Sequence, residues 1–312
     1  MGHLDYDRLH GIWAGLPVAW DASMELDEEA SAADVQACCQ AGVHGVYTGG
    51  TTGEFYAQDE ETFRRLVRLT VDAARPTDTP TQAGCTALST RLVRRRIEIA
   101  AEAGADGIQL ALPFWLRLND EEAIAFFRDV AAAAGDLPLI LYDTERAKRR
   151  VSVELFCRLK EVAPTLIGCK YGGDDLDALA RLIQALPGVR FFVGEHLLPD
   201  GMKLGARGNY SSQAYLYPPF MLEYYRLCTE GRWDQIAPMQ AALRRFYSEG
   251  IQPLRDRGMV DSAIDRVFGT VLGFLRCGLR CQPPYVHATQ DDVDALRAWM
   301  RKHTPILLGS RV

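Results

Sequence analysis

Short apolar runs of strand length alternate eight times with longer segments of helical spacing before residue 215 of this chain. Neighbouring parallel strands need a crossover of a dozen or more residues, so this alternation forces successive βα units around a parallel sheet. The strand-like runs lie at 11–18, 43–48, 80–84, 107–112, 137–142, 166–170, 190–194 and 208–211. Between them, apolar residues three and four apart mark helices over 27–41, 59–74, 89–103, 120–134, 152–161, 174–185 and 198–204. Acidic or hydroxyl residues open most of these segments, where a side-chain oxygen can cap free N–H groups. A weak internal echo fits the same unit: Ala41-Gly42-Val43-His44-Gly45 returns as Ala103-Gly104-Ala105-Asp106-Gly107. In each copy a glycine suits the position after a helix, where positive φ is common. Eight such units in about 200 residues, with no Pro/Gly/Ser-rich linker between them, predict an α/β fold, the (β/α)8 TIM barrel.

From Pro218 the pattern turns helical, over 220–229, 235–247, 262–276 and 291–302. The expected organisation is a catalytic barrel over 1–217 and an all-helical C-terminal extension over 218–312 packed on it. An open doubly wound nucleotide-binding sheet would place GxGxxG or GxxxxGK[ST] after an early strand. Gly49-Gly50-Thr51-Thr52-Gly53-Glu54 has the glycines but neither spacing.

Composition removes several classes of function. No apolar run approaches the roughly 18 residues of a membrane helix, so no membrane partner is expected. Residues 1–10 lack the basic and apolar regions of a secretory signal, which predicts a cytoplasmic protein. A net charge of -6 argues against nucleic acid as a partner, although local groups could still take an anion. The eight cysteines show no CxxC pairing and read as buried, reduced thiols. No HExxH or His/Cys cluster occurs, so neither metal nor cofactor is expected, and no GxSxG elbow suggests a serine triad.

In a barrel, chemistry comes from the C-terminal ends of strands. Three ends carry suitable groups. The second strand runs into Gly49-Gly50-Thr51-Thr52-Gly53-Glu54, whose hydroxyls and free N–H groups suit a carboxylate, though an ordinary capped turn reads the same way. The fifth ends in Tyr142-Asp143, a phenol that could shuttle a proton or simply pack at the rim. The sixth ends in Gly168-Cys169-Lys170. Lysine is rarely buried without purpose, and loss of water around an ammonium favours the neutral amine that attacks a ketone. A lysine snorkelling to the surface is the plainer reading. After the seventh strand, Glu195-His196 suits the rim of a site better than a metal shell.

These three strand ends, in this order, resemble the dihydrodipicolinate synthase/N-acetylneuraminate lyase family, and the similarity runs over most of the chain. The GxTGE loop corresponds to residues 49–54, the strand-five tyrosine to Tyr142, and the G-[IVL]-K segment to Gly168-Cys169-Lys170. The resemblance implies a class I lyase. Lys170 would form an imine with a 2-keto acid, Tyr142 would shuttle protons, and Thr51 would complete the catalytic set. Gly50, Thr52, Trp115, Gly194, Tyr210 and Ser211 would bind substrate. It also implies a homo-oligomer, tetramer or dimer. A protonated imine draws electrons from the neighbouring carbon, which permits C–C cleavage, C–C formation or loss of water without a metal.

Departures from the synthase branch point elsewhere within the family. Its Pro-Tyr-Tyr is Pro113-Phe114-Trp115 here, and its Asn-x-Pro-x-Arg is Asp143-Thr144-Glu145-Arg146-Ala147. The relay phenol is therefore missing. Asn209-Tyr210-Ser211-Ser212 resembles the hydroxyl-rich segment of branches that dehydrate or cleave keto-deoxy sugar acids. The charged run Arg146, Lys148, Arg149 and Arg150 reads as a solvated approach to a helix, with substrate contact as the other reading. The expected function is a hydro-lyase or aldolase acting on a 2-keto-3-deoxy sugar acid. The alternatives are dihydrodipicolinate synthesis and a non-catalytic keto-acid-binding barrel.

Overall fold

The computed structural model describes residues 4–309. The outer ends of the two expected units, 1–3 and 310–312, lie outside the described residues. Eight parallel strands close into one barrel in sequence order. They are β1 (Gly11–Gly15), β2 (Gly45–Thr48), β3 (Thr81–Gly84), β4 (Gly107–Leu110), β5 (Leu139–Asp143), β6 (Leu166–Tyr171), β7 (Arg190–Val193) and β8 (Gly208–Ser211). The crossover helices are α1 (Glu28–Gln40), α2 (Glu60–Ala74), α3 (Thr90–Ala103), α4 (Asp120–Ala134), α5 (Val153–Val162), α6 (Leu176–Ala185) and α7 (Leu198–Leu204). Each of the first six is capped by a side chain, from Asp27, Asp59, Ser89, Asn119, Ser152 and Asp175 respectively. Those oxygens accept otherwise orphaned backbone N–H bonds, which is why polar residues punctuate the sequence at these points.

Strand periodicity sorts side chains to two sides of the barrel wall. Inside, Trp13, Tyr47, Ile140, Phe192 and Tyr210 form one cluster, joined from the N-terminal end by Leu4 and Leu9. Outside, Ile12, Val46, Ile108, Leu141, Leu166 and Phe191 belong to the large core shared with the helices. Closure between β1 and β8 is tight. A Cβ on Gly208 would stand 1.9 Å from the Gly11 carbonyl oxygen, so only glycine fits there.

The remaining helices are α8 (Pro218–Thr229), α9 (Trp233–Arg245), α10 (Gln252–Asp256), α11 (Asp261–Val271) and α12 (Gln290–His303). Their Met221, Leu243, Phe268 and Met300 are part of the same core as the barrel's outer face. Two details differ from the periodicity. The helix expected over 262–276 stops at Val271, close to Gly273 with φ 67°. A π-helical turn, Phe246–Gly250, follows α9 and leads into α10, which has too few residues to show a period. The eight cysteines are free, and among the described residues no helix is long and apolar enough to cross a membrane.

Candidate active site

Inward parity carries two of the chemical residues into the barrel mouth. Tyr142 follows the inward Ile140 by two, and Lys170 pairs in register with both Tyr142 and the inward Phe192. Lys170 Nζ lies 4.3 Å from the centroid of the Tyr142 ring and 5.7 Å from that of Tyr210. The ammonium thus rests on two aromatic faces. Burial alone would raise the Tyr142 phenol, but the charges of Lys170 and Arg146 and a hydrogen bond with Thr144 outweigh it. Its pKa falls below the ordinary phenol value. The Arg146 guanidinium approaches that hydroxyl at 3.5 Å.

The mouth holds two adjoining lobes that share Tyr47, Thr51, Tyr142 and Asp261. The first, about 260 Å³, contains Lys170. Its wall is rich in acceptors, Glu195, Ser211, Ser212, Asp261 and Asp265, and also carries the Arg255 guanidinium. The second lobe, about 450 Å³, has aromatic and apolar walls from Phe55, Tyr56, Phe114, Met259, Val260 and Tyr285.

The loop after β2 is shaped by its small residues. A Cβ on Gly50 would meet the Tyr47 ring at 2.3 Å. From this loop Thr51 faces both lobes, Gly50 only the second, and Thr52 the first. Thr52 Oγ1 donates to Asp265 Oδ2 on α11 at 2.5 Å. Glu54 closes the loop with positive φ, 53°, and pairs with Arg266 Nη2 at 2.5 Å, both side chains being fully buried. Its second oxygen accepts from the Trp20 indole N–H at 3.1 Å and the Gln282 N–H at 2.8 Å. Three separate segments are therefore fixed to one carboxylate.

Gly194, Tyr210 and Ser211 also line the first lobe. The Tyr210 hydroxyl is turned inward, donating to Gln82 Oε1 at 2.7 Å. Ser211 Oγ accepts from the Ala214 N–H at 3.0 Å, and the Ser212 N–H donates to Glu195 Oε1 at 3.0 Å. His196 sits at the rim with Nε2 3.4 Å from Asp174.

Trp115 is the expected site residue that the structure does not bring in. Its side chain is 72% exposed and belongs to neither lobe, lying instead beneath Lys148 Nζ at 5.5 Å. The chain turns after β4 so that the neighbouring Phe114 faces the second lobe. The run Arg146, Lys148, Arg149 and Arg150 is solvated only in part: Arg146 and Lys148 are exposed, whereas Arg149 and Arg150 are partly buried. Arg149 is held by Asp120 at 2.6 Å, Arg150 by Asp143 at 2.9 Å, and Arg146 by Asp261 at 2.6 Å. Residues absent from the sequence reading also line the first lobe: Tyr247, Arg255, Asp261, Asp265 and Phe268. All come from the helices after the barrel, where no strand-end rule directs attention.

A model of the dihydrodipicolinate synthetase family matches residues 8–301. An uncharacterized DapA-like lyase of Halobacterium salinarum is 32% identical over 78% of this chain and 83% of its own length. The trans-O-hydroxybenzylidenepyruvate hydratase-aldolase of Pseudomonas aeruginosa is 26% identical over 96% of this chain and 95% of its own. Among solved structures, YagE, a prophage protein of the dihydrodipicolinic acid synthase family from E. coli K12 in complex with pyruvate, superposes with a TM-score of 0.85. That comparison covers 94% of this chain and 98% of the other at 20% identity.

Proposed function

This chain belongs to the dihydrodipicolinate synthetase family and is a Schiff-base lyase, and from that premise we propose that Lys170 is its nucleophile and a 2-keto-3-deoxy sugar acid its substrate. One observation carries the reading: the lobe that contains Lys170 and Tyr142 has a wall of hydrogen-bond acceptors. Hydroxyl groups along a sugar-acid chain are donors that such a wall satisfies. The carboxylate of aspartate semialdehyde would instead meet Glu195 and Asp261, and like charges at short range repel.

The steps follow from the residues. The N–H groups and hydroxyls of Thr51 and Thr52 hold the substrate carboxylate, which sets the keto carbon against Nζ. The neutral amine adds to that carbon and water leaves, forming the protonated imine. Tyr142 moves the protons of these steps and of the bond breaking that follows, its phenol being poised by the two cations beside it. The imine then accepts the electron pair released when a C3 proton departs or when the C3–C4 bond breaks. Loss of the C4 hydroxyl as water from the enamine gives dehydration, whereas C3–C4 cleavage with loss of the C4 hydroxyl proton gives an aldehyde and the enamine of pyruvate. In either case protonation and hydrolysis by water then free the keto acid and restore Lys170.

The aromatic walls of the second lobe favour one further reading, an aryl-substituted 2-keto acid of the kind named for the Pseudomonas relative. A single panel separates the possibilities. Keto-deoxy sugar acids, an aryl-substituted keto acid, and pyruvate with aspartate semialdehyde are compared by pyruvate release, semialdehyde formation and condensation. Turnover of the sugar acids is the expected result. A condensation kcat/KM above about 10⁴ M⁻¹s⁻¹, with none for the sugar acids, would reject the reading.

A further inference from the structure

We propose that Asp265 is a positioning residue that governs, through Thr52, how firmly the site holds the substrate carboxylate. The proposal rests on the reading above that the loop after β2 receives that carboxylate. Thr52 has one hydroxyl hydrogen, and in the structure it is given to Asp265 Oδ2 at 2.5 Å. While Asp265 is ionised it can only accept. The Thr52 hydroxyl is then committed away from the substrate, and a negative charge stands behind the place where another must bind. When Asp265 carries a proton the bond reverses. The acid donates to Thr52 Oγ1, and the threonine hydrogen turns to the incoming carboxylate.

The surroundings favour the protonated form. Asp265 is buried, and among the described residues no cation forms an ion pair with it. On its own helix it faces Asp261, and from the turn after β7 it faces Glu195. The hydroxyls of Thr52 and Ser212 approach from the ends of β2 and β8, with Tyr215 beyond. Tyr247 adjoins it from the π-helical turn. Lys170 and Arg255 share the same lobe, Arg255 being engaged by the Tyr247 carbonyl at 2.8 Å. Burial pushes the Asp265 carboxyl up to about 7, with the charge of Asp261 next in weight, Thr52 opposing, Glu195 adding and Ser212 opposing. The donor reversal therefore falls inside the working range of an enzyme.

The test uses pyruvate as the probe and borohydride to trap its adduct on Lys170. The half-saturating pyruvate concentration is measured from about pH 6 to about pH 8.5 for the wild type and for Asp265→Asn. Asparagine stays neutral and can donate to Thr52 Oγ1 at every pH, so it mimics the protonated acid. The ratio of wild-type to variant half-saturation should rise about tenfold across that range, while the maximum trapped fraction stays equal. Taking the ratio removes the pH dependence of Lys170 itself. Asp261→Asn, at a half-exposed helix start, supplies a second arm should the first variant not fold. Removing that charge must move the wild-type inflection to lower pH. Parallel profiles in the first comparison, or an unmoved inflection in the second, would overturn the proposal. Absence of any Lys170 adduct in the wild type would refute the reading of the site and this proposal with it.

Discussion

Lys170 Nζ and the Tyr142 ring face each other at 4.3 Å from residues that are partners in register across β5 and β6. Adjacent strands thus present an amine and a phenol at one level of the barrel, with no loop between them to loosen the geometry. Rigid elements hold reacting groups more precisely than loops do.

Reduction with borohydride in the presence of pyruvate should place a stable adduct on Lys170. Lys170→Ala removes the amine and should abolish both the adduct and turnover. Peptide mass spectrometry locates the modification. An adduct on another lysine, or one that persists in the variant, would remove Lys170 from the mechanism.

Tyr142→Phe keeps the ring beneath the ammonium and deletes only the hydroxyl. Turnover should fall by roughly 10²–10⁴, the range for loss of a general acid or base. Imine formation should suffer less, because water can substitute in that step. Single-turnover trapping alongside steady-state rates distinguishes the two effects, and near-wild-type turnover would dismiss the phenol as the shuttle.

Much of this arrangement is legible in the sequence, and what is hidden has a common cause. The eight strands announce themselves because alternation and crossover length are local properties. Lys170 and Tyr142 follow from the same pattern, since each ends an apolar run. Phe114 and Trp115 defeat that logic. Beyond the end of β4 strand parity no longer applies, and only the path of the loop decides which ring turns inward. Asp265 is hidden for a different reason. It meets Thr52 across 213 positions of chain, and long-range pairing leaves no period. A signal did exist, however. Asp265 and Arg266 interrupt the otherwise apolar stretch Ala263, Ile264, Val267 and Phe268. Two charges on a helix that is buried all round call for partners, here Thr52 and Glu54.

The Glu54–Arg266 pair should be a large determinant of stability. Both side chains are fully buried, so removing either partner leaves the other charge without compensation. Arg266→Met should cost about 3–5 kcal/mol, read as a lower urea midpoint with unchanged slope. Combining it with Glu54→Gln should cost less than the two single losses added together, because the second change removes the stranded charge. A loss below about 1 kcal/mol for Arg266→Met would show that the pair does not hold the loop.

Stability should also depend on pH through Asp34, whose side chain is buried on α1. Its Oδ1 accepts from the Arg276 N–H at 2.6 Å. Burial nevertheless dominates and pushes the carboxyl from 3.8 to about 6, against the pull of the Arg276 and Cys277 N–H groups and the charges of Arg276 and Arg266. Between those two values the folded state binds more protons than the unfolded one. Stability therefore falls as pH rises through this window and levels off above about 6. The full effect is about 3 kcal/mol. Asp34→Asn cannot ionise and lacks this loss, while its amide oxygen still accepts from Arg276. The stability of the variant relative to the wild type should accordingly improve by about that amount between pH 4 and pH 8. Contributions from Asp265 cancel in the comparison, being common to both proteins. Urea unfolding of the pair at the two pH values provides the measurement, and a difference that stays constant with pH would show that Asp34 does not titrate between its folded and unfolded values as described.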